Sequence, residues 1–114
     1  MPPIQVAQIA ILALTAASGI MGFFVPPSWL RFTGLRYEDK RGLTELRVTF
    51  GGFALGMGLA PILLNTPEAY HVAGYTYLSI AVSRAIAILY DKSFTRSNGI
   101  SLIAEIAFGI ILAL

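Results

Sequence analysis

Four long stretches of this chain are too apolar, and too long, to be ordinary surface elements. They cover about residues 4–25, 43–64, 67–90 and 98–114. Each is close to the ~20 residues that cross a ~30 Å hydrocarbon layer as a helix. The first carries no charged side chain. The last is the shortest, and at 1.5 Å per residue it reaches roughly 25 Å. With 114 residues, 56% apolar and only 12% charged, the chain has about half the charge of a soluble domain. The pattern predicts a single all-α domain, an integral membrane antiparallel four-helix bundle over residues 1–114.

The breaks between these stretches have local causes. In "VPPSW", Pro26 and Pro27 disfavour helical geometry in the residue before each, so the first helix stops there. In "NTPEA", Thr66 is a cap, Pro67 suits the first helical position and Glu68 faces the positive end of the dipole. Ser97 in "TRSNG" is the expected cap of the fourth helix, and Pro61 is expected to bend the end of the second. No Lys or Arg precedes the first apolar run and no polar domain follows it, so it reads as a retained span and not a signal peptide. Residues 28–35, "SWLRFTGL", read as a short interfacial segment. There Trp29, Leu30 and Phe32 dip into the headgroup boundary and Arg31 stays wet.

Basic residues set the expected orientation. Arg31, Arg36, Lys40, Arg41 and Arg47 lie between or beside the first two spans, and Lys92 and Arg96 lie between the last two. The opposite side has only Glu68 and His71. By the positive-inside rule both termini are then outside the cytoplasm, in a multi-pass cell-membrane protein.

Arg84 is the exception, because it lies inside an apolar stretch. It is six residues before Tyr90, about 9 Å from the helix end, while Glu105 is seven residues after Asn98, about 10 Å in from the same side. The two charges are thus expected at matching depth on consecutive antiparallel helices. Unpaired, each costs ~2.5 to 3.5 kcal/mol on insertion scales. Glu45, Thr49, Gly52 and Gly56 share one face of the second span at helical spacing. Glu45 is therefore expected to extend the polar cluster, with Arg47, Tyr77 and Asp91 around it. Gly52 and Gly56 form a small-xxx-small pair expected to let a neighbouring helix approach. The ion pair has two readings, a structural pair that sets helix register or a ligand or proton site.

The segments "ELRVTFGGFALGMGL" and "FFVPPSWLRFTGL", the arginine of "SRAIAILYD" and the glutamate of the last span resemble an uncharacterised family of small bacterial four-helix membrane proteins, a domain of unknown function. The resemblance implies a membrane bundle, placed in a bacterial inner membrane, and no particular chemistry. A fainter similarity, through R-x-x-F-G at Arg47–Gly51, is to the four-span sterol-biosynthesis scaffold proteins, which tether enzymes.

The chain has no cysteine and a single histidine. Thiolate sites and His-cluster metal sites are therefore excluded. No nucleophile–base pair is visible, and neither a cofactor, a metal nor a nucleic-acid partner is implied. The expectation is a non-enzymatic accessory or scaffold protein that binds other membrane proteins or itself within the lipid bilayer. The alternative is a small transporter or ligand-binding bundle in which Arg84 takes an anionic group and Glu105 or Glu45 carries a proton. The loop charges also give a test of orientation. A reporter that works only in the cytoplasm, fused after Leu114, should stay inactive, and activity there would reverse the assignment.

Overall fold

A computed structural model describes residues 2–114, apart from the side chain of Ser28. Every regular element among the described residues is helical. The elements are α1 (Pro3–Phe24), α2 (Pro26–Thr33), α3 (Lys40–Leu46), a π-helix (Arg47–Phe53), α4 (Ala54–Leu64), α5 (Pro67–Asp91) and α6 (Arg96–Ala113). The run Lys40–Leu64 is continuous, so four helices are long and apolar enough to cross a membrane.

The helix ends follow from particular residues. Val25, forced out of helical geometry by the proline after it, has φ −128° and ψ 60°. Pro26 and Pro27 then open α2, and Gly34 closes it at φ +79°, donating its N–H to the Leu30 carbonyl at 2.9 Å. Asp39 caps α3 by accepting from the Gly42 N–H at 2.9 Å. Thr66 caps α5, accepting from the Ala69 N–H at 3.2 Å. The α6 cap differs from expectation. Thr95, in extended geometry, accepts from the Asn98 N–H at 3.2 Å, so the helix starts at Arg96 and Ser97 is already inside it.

The chain divides into two compact units: Ile9–Leu63, and Leu64–Leu114 together with the start of the chain through Gln8. In the first, α1 meets the π-helix and α4 through glycine. A Cβ on Gly51 would lie 2.6 Å from the Phe23 Cβ, and one on Gly19 would lie 2.7 Å from the Gly51 carbonyl. A Cβ on Gly58 would strike the Leu12 and Ala16 backbone, and one on Gly22 the backbone of Phe50. Partner numbers fall along one helix as they rise along the other, so the two cross in opposite directions with their backbones in contact.

These contacts correct the expected packing face. A Cβ on Gly52 or Gly56 would meet nothing within 4 Å among the described residues of the Ile9–Leu63 unit; Gly51 and Gly58 are the packed positions there. The expectation assumed 3.6 residues per turn from Glu45 to Gly56. The seven-residue π-helix at Arg47–Phe53 widens the turn in the middle of that stretch and shifts the register.

Two side chains finish this unit. The Trp29 indole donates to the Ser18 carbonyl at 3.2 Å, which holds α2 back against α1. Arg47 donates to the Phe23 carbonyl and lies 5.9 Å from the centre of the Phe23 ring. It thereby satisfies an orphan carbonyl at the negative end of the α1 dipole.

In the second unit α5 and α6 form a close pair. A Cβ on Gly74 would lie 2.6 Å from the Ala113 nitrogen, and one on Gly109 would lie 2.7 Å from the Leu78 side chain. Tyr77 packs edge-on against Phe108, with ring centres 5.7 Å apart. The buried Gln8 amide donates to the Ile111 carbonyl at 3.0 Å, so the first turns of α1 belong to this unit. Glycine placement sets the stability test. Gly58→Leu should cost at least the ~1 to 3 kcal/mol of an overpacked site, and Gly56→Leu should leave the chain's own packing intact. Thermal unfolding in detergent, followed by far-UV circular dichroism, should show a lowered midpoint for the first alone. Equal losses would place both glycines at the helix contact.

Candidate functional site

The polar cluster belongs to the α5–α6 pair. Arg84 donates from Nε to Glu105 Oε1 and from Nη2 to Oε2, both at 2.8 Å. This is a two-pronged ion pair that matches the planar fork to the carboxylate. Its Nη1 donates to Asn98 Oδ1 at 2.9 Å. The Asn98 amide in turn donates to the Ser93 carbonyl at 3.0 Å and reaches the Ser93 hydroxyl at 3.2 Å. The result is a connected chain of bonds from Glu105, deep on α6, through Arg84 on α5, to the loop between the helices. The Glu105 side chain is 12% exposed and that of Arg84 31%. No buried side-chain nitrogen or oxygen among the described residues lacks a partner.

Beside the pair lies an open recess of about 370 Å³. Ser83, Asp91 and Ser93 line it together with Arg84, Asn98 and apolar residues such as Ile80. It presents hydroxyls and a carboxylate, but the arginine's three best-directed donors are already used within the protein.

The other expected site residues have contacts of their own within each unit. Glu45 pairs with Arg41, one helical turn before it, and both are exposed. It belongs to the Ile9–Leu63 unit, and the third member of the Arg84 network is Asn98. Arg47 is engaged by the end of α1. Tyr77 packs on Phe108. Asp91, exposed at the end of α5, rims the recess. Asn98 was the readable omission: an amide in the first turn of an apolar helix, on the side from which Arg84 approaches. Gln8 is a second, a lone amide in an otherwise apolar run. Among the described residues no three His, Asp or Glu side chains are grouped to hold a metal ion.

Comparison of the chain with family models, with curated proteins and with solved structures gave no match.

The network's geometry generates a substitution test. Arg84→Lys keeps the charge but cannot grip both carboxylate oxygens and Asn98 at once. It should lose ~1.5 to 3 kcal/mol of stability, the range for hydrogen bonds to charged groups. Asn98→Ala should lose about 1 kcal/mol. Detergent melting curves measure both, and an Arg84→Lys variant as stable as the parent would mean that the fork geometry is unimportant.

Proposed function

We propose that this chain is a four-span integral membrane protein with both termini outside the cytoplasm. In this reading it acts as a non-enzymatic accessory or scaffold protein, binding other membrane proteins or a second copy of itself. The observation that carries the membrane part is the direction of its apolar side chains. Leu63 is 74% exposed, Ile103 70%, Leu89 69% and Val72 64%, on three of the four long helices. Among the described residues, the largest fully buried side chains are Leu12 and Leu112. Soluble monomers rarely expose apolar patches of more than a few hundred Å², whereas a lipid-facing helix must be greasy outside.

The scaffold part rests on how the charges are used. Arg84, the one group suited to bind an anion within the apolar region, is held on three sides by its own chain. Gly52 and Gly56 remain open, and between lipid-exposed helices small residues permit close backbone approach. The resemblance to small bacterial four-helix membrane proteins supports the same reading and suggests an inner membrane. The recess beside Arg84 favours one rival, an anion or proton site that uses Arg84 and Glu105.

Because the chain contains no cysteine, a single introduced thiol reports alone. Membranes carrying Gly56→Cys should give a disulfide-linked dimer, or a linked complex with a membrane partner, on mild oxidation, and membranes carrying Val72→Cys should not. Equal cross-linking at both positions would indicate random collision, and none at Gly56 would remove this face from the reading. Anion uptake into proteoliposomes that is abolished by Arg84→Lys would move the assignment to the rival.

A further inference from the structure

The loop side of α2 carries two arginines, Arg31 and Arg36, that no ion pair among the described residues neutralises. Arg41, Arg47 and Arg84 each have a partner. Neither Arg31 nor Arg36 makes a hydrogen bond or ion pair among the described residues. Both line one recess of about 500 Å³, with Tyr37 and the apolar Leu30 and Leu35. Gly34 explains how two arginines five positions apart reach the same hollow. Its positive φ ends α2 and turns the chain, so Arg31 comes from the last helical turn and Arg36 from the returning strand of backbone. The nearest carboxylates in sequence lie in an adjoining recess that Arg36 also borders, and none makes an ion pair with either arginine. Asp39 holds the Gly42 N–H, Glu45 holds Arg41, and Glu38 lines the adjoining recess, which shares Leu35, Arg36 and Tyr37 with this one.

We propose that this recess binds the phosphate of an anionic phospholipid headgroup. Two unpaired guanidinium groups supply planar forks that suit phosphate oxygens. The Tyr37 hydroxyl adds a donor, and Leu30 and Leu35 offer an apolar wall to the glycerol and upper acyl chain. Position fits the same ligand. α2 carries Trp29 and Phe32, packed edge-on with ring centres 6.2 Å apart, and such aromatics settle at headgroup level. A juxtamembrane basic side chain gains about a fivefold preference for an anionic surface. Here two of them are aimed into one hollow instead of being spread along a loop.

The proposal rests on the membrane reading, and alkaline carbonate extraction tests that reading by itself. A chain washed off the membrane would remove both proposals. The site is tested on the full-length chain in detergent, by native mass spectrometry with phosphatidylglycerol against phosphatidylcholine. Phosphatidylglycerol should be retained in preference. Arg31→Gln and Arg36→Gln should each weaken it about fivefold, and the double variant roughly 25-fold. The control is Lys92→Gln with Arg96→Gln, which removes the same charge from the other basic loop and should leave retention within about twofold. Both arginines are exposed, so unchanged melting curves should accompany the loss. Equal weakening by the control pair, or no preference for the anionic lipid in a carbonate-resistant chain, would overturn the site. Displacement of the lipid by an equal concentration of glycerol 3-phosphate would reassign it to a free phosphate ester and overturn the lipid assignment.

Discussion

A guanidinium cannot shed its charge, so an arginine placed within an apolar helix needs a partner in the fold. Arg84 imposes this condition on the α5–α6 pair. Glu105 meets it with both carboxylate oxygens, and Asn98 takes a third N–H. The consequences run outward along the hairpin. Matching Arg84 to Glu105 fixes the register of the two helices, and that register brings Gly74 against Ala113 and Gly109 against Leu78 at the far end. Near the loop, Asn98 is tied to Ser93 and Thr95 caps the helix. The hairpin is thus clamped by a charge at one end and by backbone contact at the other.

The Ile9–Leu63 unit reaches close helix contact without a buried charge. Gly19 on α1 faces Gly51, Gly22 faces Phe50 and Gly58 faces Leu12 and Ala16, and the absent side chains let the backbones touch. In the proposed membrane setting, lipid tails are as apolar as leucine, so close packing and hydrogen bonds would have to supply the association. The chain uses packing in this unit, and packing together with an ion-pair network in α5–α6. Arg47 adds a link of another kind, closing the end of α1 from the neighbouring helix. Three of the arginines, Arg41, Arg47 and Arg84, thus make contacts within the fold, and Arg31 and Arg36 are not among them.

Much of this was legible in the sequence because it depended on local or depth-based rules. Prolines at 26, 27 and 67 marked real helix boundaries, and Thr66 capped where its spacing said it would. Arg84 and Glu105 could be paired because depth in a helix follows from counting residues. What escaped depended on a broken period or on competition between neighbours. The π-helix shifted the register between Glu45 and Gly56, so the packing stripe moved from Gly52 and Gly56 to Gly51 and Gly58. Glu45 had a cation four residues before it, and it pairs with that one within its own unit. Thr95 displaced Ser97 because a cap must precede the helix, and the helix began earlier than the apolar run. Asn98 counted as a boundary when its amide was the bridge.

The claim that Arg84 and Glu105 act as one unit is tested most directly by a double-mutant cycle on stability in detergent. Arg84→Ala and Glu105→Ala each leave a charge stranded in a low-dielectric setting, whereas the double variant leaves none. The account predicts a double variant milder than the sum of the singles, with a coupling of ~1 to 3 kcal/mol, the upper range for residues in one network. Strictly additive losses would contradict it.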